Sequence, residues 1–296
     1  MKFHLILILA IMLLLLCSGV QSRSVSPDLS HKDKGLTGSP VIIVNPGDSL
    51  QAAVDSVADG GLIVLKKGTW HEKVRINKSV NIIGSGPKRT IISGDIDDHG
   101  VNASVVNLSR YGPSSDTFVS LTGMTITNGN ANYGGGIFNG KCTLILTEID
   151  VTGNSALFSG GGIYNEYGTV SLYGRTSVTE NTAKVGGGMV NDNGVVTMNH
   201  RSSVAGNTAQ LGGGIENVGG RCTMFDKSSI TGNVATINGG GVYNWFSSIF
   251  TMNGGSITKN TATISGGGIY SDDTSTVIRN GGTITLNSPD DLYPPP

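Results

Sequence analysis

The chain from Gly160 to Leu211 reads GGGIYNEYGTVSLYGRTSVTENTAKV and then GGGMVNDNGVVTMNHRSSVAGNTAQL, which are two versions of one 26-residue unit. Glycine triplets open six such units, and the last two steps between triplets are each longer by a single residue. The triplets begin at Gly134, Gly160, Gly186, Gly212, Gly239 and Gly266. A period of about 20–50 residues is typical of solenoids, in which each unit forms one coil stacked on its neighbours.

Within each unit, the segments between turn residues favour β-strands. Thr169–Leu172 and Gly194–Met198 are rich in β-branched residues, alternate along the chain and are bounded by glycine and asparagine. No stretch has an apolar period of about 3.6 residues long enough for a helix, which excludes helical solenoids. We therefore predict an all-β fold, a single-stranded right-handed parallel β-helix with 26-residue coils.

Aligning the units places asparagines in two columns. The first contains Asn139, Asn165, Asn191, Asn217 and Asn244 and is closed by Ser271. The second contains Asn154, Asn181, Asn207, Asn233, Asn260 and Asn287. Equivalent residues of stacked strands lie about 4.8 Å apart, and a buried amide can donate to one neighbour while it accepts from the other. We interpret both columns as structural ladders at the bends of the coils, not as binding sites.

The residue after each triplet is apolar and is expected to point inward, so the next residue should point outward. The outward column is Phe138, Tyr164, Val190, Glu216, Tyr243 and Tyr270. Four of these six residues are aromatic, which the solubility of a surface does not require. One interpretation is strand propensity with stacking between coils. The other is a platform for sugar rings, formed by Phe138, Tyr164, Tyr243 and Tyr270 and flanked by Tyr167, Glu216 and Trp245.

Composition and charge exclude several classes of protein. The chain has 296 residues, 45 of them glycine, without the Gly-X-Y period of collagen. A hydrophobic fraction of 38% and a formal net charge of −1 argue against intrinsic disorder. The near-neutral net charge also argues against nucleic acid as a partner, because phosphate binding requires clustered basic charge.

The first residues have the layout of a cleaved secretory signal: a short basic start, the apolar run Leu5–Leu16 and small residues at its end. Retained anchoring is the alternative. The predicted organisation is a signal peptide (1–22), a flexible linker (23–40), a cap with the first coils (41–104), the repeat coils (105–293) and a tail (294–296). We expect a secreted or cell-surface monomer with no membrane span once the signal is removed.

Two cysteines remain outside the signal, Cys142 and Cys222, and their separation in the sequence is close to three repeat units. We interpret them as sharing one core column with Val196, three coils apart. Three strand spacings amount to about 14 Å, which exceeds the limit of about 7 Å between the Cα atoms of a disulfide. We therefore predict two reduced, buried cysteines.

Three charged groups are candidate sites. Asp95, Asp97 and Asp98 have a spacing that could surround Ca²⁺, with an exposed polar turn as the alternative. Glu166 and Asp192 occupy one column on adjacent coils and form a possible carboxylate pair. The column of Glu148, Arg175, Arg201 and Lys227 is either a solvated edge or a strip that contacts an acidic polysaccharide.

The segment before the repeats has its own pattern. Ser49–Val54 suggests a short amphipathic cap helix, and Leu62–Leu65, Gly68–Val74 and Val80–Pro87 follow it. These stretches resemble the opening of pectin-lyase-like β-helix proteins. The GGGIYN and GNTA-type repeats are similar to those of adhesin-like β-helix proteins of microbial surfaces and of polymorphic outer-membrane proteins. The resemblance covers residues 41–293 and implies the fold and a place at the cell surface.

The sequence lacks the residue contexts that pectin methylesterases of this fold require. Pectin methylesterases need aspartates in Gln-Asp-Thr-Leu and Val-Asp-Phe-Ile-Phe-Gly contexts, and neither context occurs. A lyase needs clustered carboxylates for Ca²⁺ beside a basic residue. The sequence therefore favours a non-catalytic envelope protein that is adhesin-like or contacts a glycan. Its expected partner is a cell-envelope or extracellular polysaccharide. The alternative is a polysaccharide lyase or glycoside hydrolase acting on acidic polysaccharide.

Overall fold

The computed structural model describes residues 41–96, 103–108 and 117–294, and the predicted signal peptide and linker lie outside them. The described chain is an all-β parallel solenoid of about eight turns, with 26-residue coils and one short helix. The predicted architecture is confirmed, and its right-handed winding stays a prediction.

One face of the solenoid is a parallel sheet to which each coil contributes a single strand. In the described ranges it has nine strands: Val74–Ile76, Val106–Leu108, Ile137–Gly140, Ile163–Glu166, Met189–Asp192, Ile215–Val218, Val242–Trp245, Ile269–Ser271 and Leu292–Tyr293. We call it the nine-stranded sheet. It holds the residues that follow the glycine triplets, so the repeat itself positions this face.

A larger parallel sheet bends around the rest of the core, and most coils contribute two strands to it. Its seventeen strands within the described residues are Ile42–Val44, Gly61–Leu65, Gly68–His71, Val80–Ile83, Thr90–Ser93, Phe118–Thr127, Thr143–Thr152, Thr169–Tyr173, Ser177–Thr179, Val195–Met198, Ser203–Ala205, Arg221–Met224, Ser229–Thr231, Ile249–Met252, Ser256–Thr258, Thr276–Arg279 and Thr283–Thr285.

A third, narrow face closes each coil before the next glycine triplet. Its short strands are Asn130–Tyr133, Ser155–Ser159, Thr208–Leu211, Val234–Asn238 and Thr261–Ala262. Isolated bridges through Thr182 and Val185 connect the first two strands with the last three.

The register follows the sequence repeat, because Ile137 pairs with Ile163, which pairs with Met189. The apolar column predicted to point inward is fully buried in all six repeats: Ile137, Ile163, Met189, Ile215, Val242 and Ile269. Stacking of like side chains therefore forms one continuous core along the solenoid.

The helix Leu50–Ser56 covers the first coil, as predicted for the cap. The Ser49 side chain accepts a hydrogen bond from the backbone N–H of Ala52, which is the usual arrangement at a helix start. The Glu72 carboxylate, from the link between the strands Gly68–His71 and Val74–Ile76, accepts the N–H groups of Leu50 and Gln51, each at 3.0 Å. The helix is thus tied to the coil that it caps.

The second asparagine column forms a continuous chain of buried hydrogen bonds. Asn207 Oδ1 accepts from both the backbone N and Nδ2 of Asn181, at 2.9 and 3.0 Å. Its Nδ2 donates to Val178 O at 3.0 Å and to Asn233 Oδ1 at 2.9 Å. The chain ends where Asn287 donates from N and Nδ2 to the Asp291 carboxylate, which supplies the missing acceptor.

The first column makes a similar chain at the opposite bend. Asn165 Nδ2 donates to Asn191 Oδ1 at 2.8 Å and to the carbonyl of Gly168 at 2.9 Å. The last amide, that of Asn244, donates to the Ser271 hydroxyl at 3.2 Å. Each amide thus joins its own turn to the next coil.

Both cysteines are buried and free. Cys222 pairs in register with Val196, but Leu144 occupies this column on the earlier coil, so the placement of Cys142 there is wrong. The separation of the two cysteines exceeds three whole coils, and Cys142 falls two positions before the column. Burial raises the pKa of the Cys222 thiol to about 12, which keeps it unreactive.

Candidate functional site

The outer side of the nine-stranded sheet, with the turn that follows each of its strands, forms a surface that we call the aromatic face. Its first column runs through Phe138, Tyr164, Val190, Glu216, Tyr243, Tyr270 and Tyr293. Its second column runs through Gly140, Glu166, Asp192, Val218 and Trp245. Rings lie toward both ends of the face and carboxylates lie between them.

The tyrosines of the first column stack on one another from coil to coil. The ring centroids of Tyr243 and Tyr270 are 5.0 Å apart, and those of Tyr270 and Tyr293 are 5.3 Å apart, with interplanar angles of 17° and 12°. Phe138 and Tyr164 stack in the same way at 5.7 Å. Neighbouring rings therefore cover one another's faces, and this column meets a ligand mainly with ring edges and hydroxyl groups.

Exposed ring faces come instead from the second column and the turns. Trp245 is 36% exposed, Phe246 60% and Tyr167 58%. The rings of Trp245 and Phe246 are tilted against each other, with centroids 6.0 Å apart. These two residues, with Tyr270 and Tyr293, form the C-terminal part of the face.

Tyr167 and Phe246 stand at a turn position that requires a left-handed backbone. The φ angles there are 67° at Lys141, 54° at Tyr167, 52° at Asn193, 61° at Gly219 and 61° at Phe246. For residues other than glycine this conformation costs on the order of 1–2 kcal/mol. Gly219 shows that the short turn of Tyr167 also forms with the unstrained residue. Exposed rings held in strained turns are typical of a functional surface rather than of a folding requirement.

Phe246 was missed from the sequence because the turn that contains it is longer by a single residue. Val218 pairs with Trp245 and Arg221 pairs with Ile249, so the chain between the paired positions is longer after Trp245 than after Val218. The signal that could have identified Phe246 is its position directly after the strand, which Tyr167 and Gly219 share in other coils.

Glu216 was predicted to flank the platform on the outside, but it is only 6% exposed. Its Oε1 accepts a hydrogen bond from Trp245 Nε1 at 2.8 Å, and the indole covers it. Burial raises the pKa of Glu216 to about 7; the indole hydrogen bond opposes this shift and the charge of Asp192 adds to it. Glu216 therefore orients Trp245 and titrates near neutral pH.

Asp192 is the half-buried carboxylate beside it. The Tyr164 hydroxyl donates to Asp192 Oδ2 at 2.8 Å, and Asn193 Nδ2 donates to Oδ1 at 2.7 Å. Burial and the hydrogen bond to Asp192 raise the pKa of the Tyr164 hydroxyl far above its usual range. Glu166 pairs in register with Asp192, as the sequence alignment predicted, and is buried.

The Ca²⁺ hypothesis concerned Asp95, Asp97 and Asp98, of which the last two lie outside the described residues. Asp95 Oδ1 lies 2.7 Å from His71 Nδ1, and hydrogen bonds from Ser93 and His71 lower its pKa. Among the residues that the structure describes, no group of three or more His, Cys, Asp or Glu side chains could hold a metal ion. Calcium binding at this turn stays a prediction.

The basic strip lies on a different surface. Arg175, Arg201 and Lys227 are exposed at turns of the seventeen-stranded sheet. Glu148 Oε1 accepts from the backbone N of Arg175 at 3.1 Å. The three basic residues of the strip form no ion pair with a described residue, since the one ion pair between described residues is that of His71 with Asp95. The strip therefore adds no positive charge to the aromatic face.

Comparison with known proteins gives one match. The Chlamydia polymorphic membrane protein repeat matches residues 247–272, which span one coil and include Tyr270. No curated protein and no solved structure matches the chain. The match confirms the predicted resemblance to polymorphic outer-membrane repeats. Together with the fold, it indicates a surface-associated repeat protein. Across the described ranges, no helix has the length and apolar character needed to cross a membrane.

Proposed function

We propose that this protein is a non-catalytic, adhesin-like envelope protein that contacts a glycan through the aromatic face. The observation that carries the proposal is the pair of exposed rings at strained turns, Tyr167 and Phe246. A turn that glycine can form has no local need for an aromatic residue.

The chemistry of the face suits a polysaccharide. Sugar rings have apolar faces, which can pack on the exposed Trp245 and Phe246 rings, and hydroxyl groups at their edges. The Tyr243 and Tyr270 hydroxyls and the Asp192 carboxylate offer hydrogen-bonding partners for those hydroxyl groups. Equivalent groups recur along the solenoid at about 4.8 Å per coil, which favours an extended polymer over a small molecule.

The second candidate is a glycoside hydrolase, and the titration of Glu216 favours it. Two carboxylates in different environments, one with a raised pKa, are the arrangement that glycosidases use for acid and base. Against it, the Trp245 indole covers Glu216, which leaves the acid only 6% exposed. Release of reducing ends without unsaturated products by the wild type, abolished in Glu216→Gln, would favour this candidate.

Replacing Tyr167 and Phe246 together with glycine should weaken glycan binding and leave the fold at least as stable. Removing two ring faces should reduce the affinity at least tenfold, about 1.4 kcal/mol. Relief of the left-handed strain should raise the free energy of unfolding by about 1 kcal/mol, after allowing for the greater freedom of glycine in the unfolded chain. Calorimetric titration with the best ligand from a glycan array, together with urea denaturation, measures both effects.

Lys141→Gly is the matched control, because Lys141 occupies the same turn position with a φ of 67° but carries no ring. It should be stabilised in the same way and bind as wild type does. If the double variant also binds as wild type does, the turn rings are not the contact surface. If no glycan binds the wild type at all, the proposed function is wrong.

A further inference from the structure

We propose that the glycan bound by the aromatic face carries free amino groups, so that its ligand is a deacetylated amino-sugar polymer and not a uronic acid polymer. This inference rests on the proposed function and narrows the class of the ligand.

From Asp192 to the C-terminal end, the described face carries carboxylates and no basic residue; its cations, among them Arg75 in the first column and Lys141 in a turn, lie at the N-terminal end. Asp192 is half-buried in the second column, and Asp272 directly follows Ser271, whose register partner Asn244 directly precedes Trp245. The Asp192 charge acts on Glu216, and the charges of Asp272 and Asp273 act on Tyr270. A uronate carboxylate would therefore meet charges of its own sign from Asp192 to the C-terminal end of the face.

The basic residues around these groups do not neutralise them. Lys184 is nearest to Asp192 along the chain and lies over the Phe158 ring, at 5.6 Å. Arg279 is nearest to Asp272 and donates to Gly282 O. Neither of them, nor Lys141 at the equivalent turn two coils before Asp192, forms an ion pair with a described residue. A carboxylate has about four acceptor sites, and described residues occupy two of those on Asp192, from Tyr164 and Asn193. Acceptor capacity and negative charge therefore remain for a ligand.

Rings beside carboxylates are suited to an ammonium group. A cation within about 6 Å of the centre of a Trp, Tyr or Phe ring is attracted by the face of that ring. Trp245 and Phe246 present such faces, and Asp272 is tied to this turn: its Oδ2 accepts from Phe246 N at 3.1 Å, and both of its oxygens accept from Thr274 Oγ1. An amino sugar places an ammonium group next to an apolar ring face, so one sugar unit can use both features.

The spacing favours a polymer with repeated amino groups. Asp192 and Asp272 stand in one column, three coils apart. Three strand spacings are about 14 Å, a distance that several consecutive sugar units can span. A chain with an amino group on each unit can then meet both carboxylates and the rings between them.

The test titrates the purified full chain with a glucosamine oligomer, an N-acetylglucosamine oligomer of equal length, a galacturonate oligomer and an oligolysine. We expect the glucosamine oligomer to bind at least tenfold more tightly than the other three, and its binding to weaken with added salt. Asp192→Asn should reduce its affinity about fivefold, the scale of a partly exposed ion pair.

Asp226→Asn is the matched control. Asp226 is exposed at a turn of the seventeen-stranded sheet, where it accepts a backbone N–H from His200, so the change in charge is the same on another face. It should bind as wild type does. An equal loss in both variants, or no loss in Asp192→Asn, would overturn the inference.

The remaining outcomes separate the inference from the function on which it rests. Equal or tighter binding of the N-acetylated or galacturonate oligomer would overturn the amino-sugar inference and support glycan contact. Tighter binding of oligolysine would overturn it in favour of a basic peptide. Binding of none of the three glycans would contradict both proposals.

Discussion

Asn207→Ala is expected to lower the free energy of unfolding by about 3–5 kcal/mol, because it leaves several buried polar groups without partners at about 1–3 kcal/mol each. The groups are the backbone N–H of Asn181, the carbonyl of Val178 and one of the two N–H bonds of Asn181 Nδ2, the other of which still donates to Val151 O. All lie between coils, where water does not replace the lost amide. Urea denaturation of variant and wild type measures the difference.

Asn280→Ala is the control for this prediction. Asn280 Nδ2 donates to Asn253 Oδ1 of the neighbouring coil at 2.8 Å, but both residues are exposed. Water can replace this bond, so the loss should stay within about 0.5 kcal/mol. Equal losses in the two variants would show that the buried chain of amides does not stabilise the stacking of the coils.

Gly187→Ala is expected to cost about 3 kcal/mol, at the upper end for overpacking. A Cβ there would lie 2.5 Å from the carbonyl oxygen of Thr208 and 2.6 Å from that of Gly213. Both atoms belong to the backbone of the next coil, which hydrogen bonds hold in place, for example from Gly187 N to Gly212 O at 3.1 Å. The coils would have to separate to admit one methyl group. Thermal and urea unfolding measure the cost.

Gly206→Ala separates this effect from backbone strain. Gly206 has a φ of 64°, and a Cβ there would have no atom within 4 Å. Only the left-handed conformation should matter, at about 1 kcal/mol. If Gly206→Ala lowered the free energy of unfolding as much as Gly187→Ala does, the triplet glycines would be needed only for their backbone conformation. They would not be needed to let the coils approach each other closely.

The sequence predicts the coil because one sequence repeat equals one coil, and the hydrogen bonds join equivalent residues of neighbouring repeats. The repeat period places Asn181 on Asn207 and Ile163 on Met189, so register, core and ladders follow from alignment. The error at Cys142 arose from counting the separation of the two cysteines as three whole coils. A small offset along the strand is enough to move a side chain out of its column.

The site was less predictable. Alternation along a strand predicts to which side of the sheet a side chain points, but it does not predict how exposed that side chain is. Glu216 points to the outer side and is nevertheless covered by Trp245 from the next coil. Alternation likewise places Tyr243 and Tyr270 outside without revealing that their rings stack. The burial of Glu216 and the stacking of the tyrosines both depend on side-chain rotamers in the neighbouring coil, and the sequence of a single repeat does not determine those rotamers.

The central claim is that the aromatic face is the surface that contacts the glycan, and the two tryptophans of the chain test it directly. Trp70 is buried and donates from Nε1 to Asp48 O, whereas Trp245 is exposed on the face and donates to Glu216. In a ¹H–¹⁵N spectrum, titration with a bound glycan should shift the indole signal of Trp245 progressively and leave that of Trp70 unmoved. Measurable binding with a stationary Trp245 signal would contradict the claim.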